Sequence, residues 1–153
     1  MKKILVLYYT QSGQLRDILD SIVKPFVEAG DSVTFEPIVP RQQFPFPWSG
    51  FTFFNAFPET FSQVPLPLEP TSSHAYDHFD LVILGYQPWF LTPSRPVSSW
   101  LQSEAAQAII GGKKIVTVLG CRNMWLGAQE KLKRHLRRLN GELVGHVALV
   151  DRS

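Results

Sequence analysis

Three segments of this chain carry residue types that bind small anionic or flat ligands, and each segment follows an apolar run. The first, Thr10-Gln11-Ser12-Gly13-Gln14-Leu15, offers two hydroxyls, a glycine and the free N–H groups at the start of a predicted helix. Backbone N–H groups and the positive end of a helix dipole attract phosphate. We therefore expect a phosphate monoester to bind at this first segment.

The other two segments combine aromatic side chains with polar and basic ones. The second is Gly85-Tyr86-Gln87-Pro88-Trp89-Phe90-Leu91-Thr92-Pro93-Ser94, whose aromatic rings either stack on a flat ligand or close the top of the core. The third is Gly120-Cys121-Arg122-Asn123-Met124-Trp125. In it, Arg122 can stabilise negative charge on a ligand, and Cys121 is either a small buried residue or a nucleophile. We take Tyr86 and Arg122 as the candidate catalytic residues.

The elements that position these segments alternate between strand and helix. Residues 4–9 form a nearly continuous apolar run, which is typical of a central strand covered on both faces. Apolar residues then recur with helical spacing from Leu15 to Val27 and stop before Gly30. The same patterns predict strands at 32–36, 81–85, 114–119 and 143–150, and helices at 97–110 and 125–139.

This alternation predicts an α/β fold, a doubly wound parallel five-stranded sheet with strand order 2-1-3-4-5. Ligands bind such a sheet beyond the carboxyl ends of its strands, where the three segments lie. The length of 153 residues suits a single domain, 1–153. Because Ser153 follows the fifth predicted strand so closely, we expect the usual final helix to be absent. A longer native protein, a partner subunit in a homodimer or biosynthetic complex, or the aromatic-rich residues 38–78 would then cover that face.

Residues 38–78 interrupt the alternation with many prolines and aromatic side chains. The prolines exclude a long helix, whereas disordered linkers contain few aromatic residues. We therefore predict an ordered excursion over the upper edge of the sheet, with a short helix near 51–57. Its aromatic side chains either wall an apolar substrate site or pack as a satellite core.

Composition argues against several other classes of protein. A single cysteine rules out an internal disulfide framework and fits a cytoplasmic protein, and no apolar run is long enough to span a membrane. His74 and His78 lack the context of metal ligands, and no P-loop or dinucleotide-binding glycine motif follows a strand. The basic residues alternate with leucines, as on a solvated helix face, so we expect no nucleic-acid partner; they are Lys131, Lys133, Arg134, Arg137 and Arg138.

Together the three segments resemble the flavodoxin superfamily, whose loops run T-x-[ST]-G-x-T and G-x-P-x-[WYF]. Thr10 to Gly13 match the first pattern, and Gly85, Pro88 and Trp89-Phe90 resemble the second. Leu15 replaces the final hydroxyl of the first pattern, which removes one phosphate contact. The resemblance implies FMN as cofactor, bound by Thr10, Gln11, Ser12, Gly13, Gln14, Leu15, Gln87, Pro88, Trp89, Phe90, Cys121, Arg122 and Asn123.

More narrowly, residues 8–14, 44–48, 86–90 and 120–125 resemble the amino-terminal part of flavodoxin-like proteins of dialkylresorcinol biosynthesis. This resemblance implies an aromatase that oxidises a cyclohexanedione-type ring to a resorcinol. We therefore expect an FMN-dependent oxidoreductase that acts on an apolar ring ketone, quinone or phenolic precursor, with NAD(P)H as a candidate reductant. Two alternatives remain, namely a flavodoxin-type electron carrier and a flavin-free interaction domain of a biosynthetic complex.

Overall fold

A parallel five-stranded β-sheet with helices on both faces forms the centre of the computed structural model. The structure describes residues 2–9, 13–40, 68–89, 92–121 and 126–150. The strands are β1 (Lys3–Tyr8), β2 (Ser32–Pro37), β3 (Leu81–Tyr86), β4 (Pro88–Trp89), β5 (Thr92–Pro93), β6 (Lys114–Cys121) and β7 (Glu142–Val150). The helices are α1 (Gln14–Glu28), a 3-10 helix (Ser73–Tyr76), α2 (Arg95–Leu101), α3 (Glu104–Ile110) and α4 (Leu126–Arg138).

The strand order in the large sheet is β2-β1-β3-β6-β7, and every neighbouring pair is parallel. Counted along the chain without the short β4/β5 pair, this is the predicted order 2-1-3-4-5, which is confirmed. The predicted central strand is also confirmed, because β1 lies between β2 and β3 and its residues Ile4 to Tyr8 are all buried.

Alternate residues of the strands enter two separate hydrophobic cores, as the two-residue period of a strand requires. One core lies under α1 and the other lies under α2, α3 and α4; we call these sides of the sheet the α1 face and the α4 face. The α1 face includes Ile4, Val6, Leu15, Leu19, Ile83 and Val118. The α4 face includes Leu5, Leu7, Leu84, Trp100, Ile110, Leu119 and Leu132.

Helix α1 approaches the middle of the sheet very closely. A Cβ atom added to Gly85 of β3 would lie 2.8 Å from Cδ1 of Leu19, and one added to Gly120 of β6 would lie 3.6 Å from Cδ1 of Ile18. Leu19 is fully buried, so it has little room to move away. The helix continues through Pro25 in its last turn and ends before Gly30, which has a φ of 91°.

The substitution Gly85→Ala tests this close packing. It is expected to lower the free energy of unfolding by about 1–3 kcal/mol, because the added methyl group overpacks the core beneath Leu19. Urea unfolding measures the loss. Adding Leu19→Val should recover part of it, so that the double variant is more stable than the sum of the single effects predicts. Purely additive effects would contradict the contact.

The predicted single helix at 97–110 is wrong, since α2 and α3 are separate helices. Ser103 interrupts the helix with an extended backbone, φ −89° and ψ 164°. Its hydroxyl oxygen accepts a hydrogen bond from the Ala106 N–H at 3.3 Å, which makes Ser103 the N-cap of α3. The chain therefore restarts a helix at a point where the apolar spacing alone looks continuous.

The edge strands differ in how they are covered. Beside β2, the last part of the predicted excursion returns to the sheet: the Glu69 N–H donates to the Val39 carbonyl at 2.7 Å, and the Ser72 N–H donates to the Glu36 carboxylate at 3.0 Å. At the opposite edge, Val144 and Val147 of β7 are 49% and 38% exposed. The predicted short helix at 51–57, and most of the excursion, lie outside the described residues.

Helix α4 ends near Asn140, whose φ of 63° is left-handed, a conformation that is common just after the last turn of a helix. In the last turn, Arg138 Nη2 donates to the Leu101 carbonyl and to His135 Nδ1, each at 3.0 Å. Because a guanidinium can only donate, Nδ1 must accept and the imidazole must be neutral. Burial, followed by the charge of Arg138, lowers the pKa of His135 from 6.5 to about 4.

This neutral imidazole predicts a loss of stability in acid. Between pH 6.5 and 4 the unfolded chain binds the His135 proton more tightly than the folded chain does, so stability falls as the pH is lowered through this window. With partial exposure taken into account, the loss is roughly 1 kcal/mol, and His135→Gln should remove it. Thermal unfolding from pH 7 to 4 measures the difference. His78→Gln is the matched control, since the His78 side chain is 81% exposed; an equal effect of both variants would contradict the assignment.

Candidate functional site

The three predicted ligand segments follow β1, β3 and β6, which are adjacent strands in the sheet. After β1 the chain first adds β2 on one side and then returns to add β3 on the other, so the direction of strand addition reverses between β1 and β3. Such a switch point leaves a crevice at the carboxyl ends of the strands. The topology therefore brings the three segments to one edge of the sheet.

Helix α1 begins at this switch point. Gly13 is its N-cap residue, with a left-handed φ of 85°, and it provides no side-chain acceptor for the first N–H groups of the helix. A Cβ atom added to Gly13 would meet nothing within 4 Å. Thr10, Gln11 and Ser12 lie outside the described residues, and Gln14 is the first residue of α1. A helix N-terminus with glycine as its N-cap residue, beside open space, suits a phosphate group.

The side chain of Leu15 does not line this open edge of the sheet. It is fully buried in the core on the α1 face, where its Cδ1 would lie 3.8 Å from a Cβ atom at Gly120. Residue 15 can thus contribute its backbone N–H to a phosphate site, while its side chain fixes the helix on the sheet.

Arg16, in the first turn of α1, is a site residue that the sequence patterns did not single out. Its Nη1 donates to the Tyr8 hydroxyl at 2.8 Å, its Nε donates to Asp20 at 3.2 Å, and its guanidinium lies 3.8 Å from the centroid of Phe35. Partial burial lowers the pKa of Arg16, but the hydrogen bonds to Tyr8 and Asp20 outweigh this and raise it overall. These contacts tie the start of α1 to the carboxyl ends of β1 and β2, and they hold a positive charge there.

The second segment forms a small hairpin. Gln87 follows β3, and β4 then pairs with β5 in antiparallel fashion, Pro88 opposite Pro93 and Trp89 opposite Thr92. The Ser94 N–H closes the hairpin by donating to the Gln87 carbonyl at 2.8 Å. The Ser94 hydroxyl is fully buried and has no hydrogen-bond partner among the described residues. Leaving it unpaired would cost about 1–3 kcal/mol, so a ligand or a water molecule is expected there. Phe90 lies outside the described residues.

The third segment begins inside β6, which extends as far as Cys121. Arg122 and Asn123 lie outside the described residues, and α4 starts at Leu126. Contacts between α4 and β5, and between β4 and β6, bring the second and third segments together. The structure therefore places the second and third predicted segments side by side, and it places the first segment at the start of α1.

Tyr86, one of the two candidate catalytic residues, lies in the core on the α4 face. Its ring is fully buried, and its hydroxyl donates to Oε1 of Gln129 in α4. A phenol in this position could transfer a proton only to a ligand that reached below the hairpin. Tyr9, directly after β1, is also buried, and burial raises its pKa to about 12. Both phenols contact the core rather than the open edge.

Two further observations concern the described residues only. Their histidine, cysteine, aspartate and glutamate side chains do not gather in any group of three that could hold a metal ion. None of their helices combines the length and the apolar character needed to cross a membrane.

No protein-family model matches this chain, and no curated protein matches it in sequence. Solved structures do match it. A Lactobacillus acidophilus flavoprotein in complex with FMN is 13% identical, with a TM-score of 0.73 over 97% of this chain and 93% of that one. An archaeal flavodoxin is 12% identical, with a TM-score of 0.62 over 97% and 84%. A Fusobacterium nucleatum flavodoxin bound to FMN is 16% identical, with a TM-score of 0.55 over 94% and 70%.

This chain has the flavodoxin-like fold. At these identities the comparison establishes the fold alone, and the fit of a cofactor must be judged from the residues themselves. In favour of FMN, a helix N-terminus with glycine as its N-cap residue lies at the switch point of the sheet, with open space at Gly13 and with Arg16 close by. The buried Ser94 hydroxyl offers one further hydrogen bond beside the second segment. The residues present therefore fit FMN.

Proposed function

We propose that this flavodoxin-like chain binds FMN at the carboxyl ends of β1, β3 and β6 and uses it in redox chemistry. One observation carries the proposal: the N-terminus of α1, with glycine as its N-cap, follows the central strand at the switch point. FMN occupies the corresponding crevice in flavodoxins. The crystallised neighbours that contain FMN support the same choice of cofactor.

Different residues of the chain would bind the phosphate and the ring of the cofactor. The phosphate would be held by Thr10, Gln11, Ser12, Gly13, Gln14 and the backbone of Leu15, with Arg16 adding positive charge near the helix N-terminus. The ring would be framed by Gln87, Pro88, Trp89, Phe90, Cys121, Arg122 and Asn123. Bound FMN supplies the capacity for hydride or electron transfer, and the protein supplies its orientation and surroundings.

We further propose that the reaction is the oxidation or reduction of an apolar ring ketone, quinone or phenolic precursor. NAD(P)H is the candidate electron donor when the substrate is reduced, and NAD(P)⁺ or a quinone is the candidate electron acceptor when the substrate is oxidised. The aromatising step of dialkylresorcinol biosynthesis is one such reaction, and its assignment to this chain rests on the sequence resemblance. Arg122 is the candidate for stabilising negative charge on the ring or the substrate. We assign Tyr86 a positioning role, since its hydroxyl is buried and bonded to Gln129.

The electron-carrier alternative draws support from the flavodoxins among the structural neighbours. Charge argues against it. Carriers of this type dock through strongly acidic surfaces, whereas this chain has a net charge of +2 and α4 exposes Arg134 and Arg137. We therefore rank the enzyme first.

The phosphate site is tested by comparing FMN with riboflavin, which lacks the phosphate, in flavin-fluorescence titrations. FMN should bind at least about tenfold more tightly, a difference of about 1.4 kcal/mol. Gly13→Ala should remove most of this preference and leave riboflavin binding unchanged. The matched control is Gly30→Ala, because both glycines are left-handed with open space around them, so each substitution costs about 1 kcal/mol of stability.

Two results would contradict the phosphate site, namely equal affinities for FMN and riboflavin, or an equal effect of the Gly13 and Gly30 substitutions on FMN binding. Failure to bind any flavin at micromolar concentrations would favour the flavin-free interaction domain instead.

Steady-state assays separate the enzyme from the carrier. With FMN bound, NAD(P)H as reductant and a quinone or cyclic dione as acceptor, an enzyme should turn over faster than free FMN at the same concentration. The rate should saturate with the acceptor, since the protein would bind it. Absence of turnover, together with rapid electron exchange with redox proteins, would favour the carrier and overturn the enzymatic proposal.

A further inference from the structure

A surface cleft lies at the outer margin of the core on the α4 face. It is lined by two stretches of the chain, 68–76 and 99–105, which are the approach to β3 and the junction of α2 and α3. Its volume of about 420 Å³ is in the range of clefts that hold small molecules. None of the described residues that line it is among those proposed to bind FMN. We call it the Glu69–Trp100 cleft.

Hydrogen bonds join the two walls of this cleft. The indole N–H of Trp100 donates to Thr71 Oγ1 at 3.1 Å, although 29 positions separate the two residues in sequence. Ser103 Oγ donates to the Trp100 carbonyl and accepts from the Ala106 N–H, which fixes the turn between α2 and α3. Trp100 is only 3% exposed, and Leu68 on the other wall packs against the same core. The cleft is therefore preformed, so a ligand would not have to order its walls.

The charge of the cleft is negative, although the chain as a whole has a net charge of +2. Glu69 is the one charged side chain among its described lining residues, and its carboxylate has no ion-pair or hydrogen-bond partner among them. Asp77 and Glu104 adjoin lining residues in sequence, whereas 68–77 and 99–105 contain neither lysine nor arginine. A cation that entered the cleft would be attracted, and an anion such as FMN would be repelled.

Aromatic and apolar side chains form much of the remaining lining. Tyr76 is 51% exposed and shares the cleft with the indole of Trp100. The face of an aromatic ring attracts an ammonium or guanidinium group, and tryptophan and tyrosine do so well. Leu68 and Ala105 offer apolar contact to the carbon atoms of a ligand. The lining thus combines an unpaired carboxylate, an accessible aromatic ring and apolar surface.

We infer that the Glu69–Trp100 cleft is a binding site for a small organic cation, an ammonium or guanidinium group carried on an apolar body. The cationic group would meet the Glu69 carboxylate and the Tyr76 ring, and the apolar body would contact Leu68 and Ala105. Hydrophobic contact alone would not select such a ligand, but the unpaired carboxylate does. The inference does not rest on the proposed function, since FMN is an anion and is assigned to other residues.

The test uses three probes of one shape and different charge, namely phenethylamine, 2-phenylethanol and 3-phenylpropionate. At pH 7 the first is a cation, because a primary alkylamine has a pKa close to that of lysine, the second is neutral and the third is an anion. Each is titrated into the full chain without flavin and followed in ¹H–¹⁵N spectra. We expect phenethylamine to bind about fivefold more tightly than 2-phenylethanol, with 3-phenylpropionate the weakest. Its shifts should fall on the Glu69 and Ser103 amides and on the Trp100 indole N–H.

Two substitutions separate charge from shape. Glu69→Gln removes the carboxylate and should weaken phenethylamine about threefold while leaving 2-phenylethanol unchanged. The matched control is Glu28→Gln, since Glu28 is also exposed but ends α1, outside the cleft; it should change neither affinity. Tyr76→Leu keeps an apolar side chain but removes the ring, and it should weaken phenethylamine about threefold and 2-phenylethanol much less.

Several outcomes would overturn the inference. They are equal affinities for the amine and the alcohol, tightest binding of the carboxylate, shifts centred away from the two stretches that line the cleft, and no binding of phenethylamine at about 10 mM. An equal effect of Glu69→Gln and Glu28→Gln would overturn it as well, because it would show a response to net charge alone. Since no flavin is present, all of these outcomes are independent of whether FMN binds.

Discussion

Helix α1 packs on the sheet with no space for a side chain at Gly85, and the arrangement of the candidate site depends on that contact. Leu19 fills the place of a Cβ atom on β3, while Ile18 and Leu15 cover Gly120 on β6. Leu15, buried in the same core, anchors the first turn of the helix. The N-terminus of α1 is thereby held over the switch point between β1 and β3, where its N–H groups can meet an anion.

The same packing explains why position 15 can lack a hydroxyl without loss of the fold. A side chain there points into the core, so leucine strengthens the attachment of α1 where a threonine would offer an oxygen. Positive charge near the helix N-terminus comes instead from Arg16, which is held by Tyr8, Asp20 and Phe35. Within the proposed function, phosphate binding relies on backbone groups and on Arg16 rather than on a hydroxyl at residue 15.

Much of the fold could be predicted from the sequence, because strands buried on both faces give continuous apolar runs and α1 and α4 give clear helical spacing. The split between α2 and α3 could not, since it depends on one cap at Ser103 inside continuous apolar spacing. The three segments that are predicted to bind a ligand stand out by residue type, and the strand order brings them to one edge of the sheet. The hydrogen bonds that join Tyr86, Gln129, Thr117 and His146 could not be predicted, because these residues are far apart in sequence and meet only through the register of the sheet and α4.

A flavin phosphate bound at the start of α1 would change the surroundings of the backbone N–H groups there, and the decisive measurement is the mapping of backbone amide shifts on addition of FMN. In ¹H–¹⁵N spectra, the largest changes should fall on Gly13, Leu15 and Arg16, with further changes at Gln87 and Gly120. Changes centred on the basic residues of α4 or on β7, or no changes at saturating FMN, would contradict it.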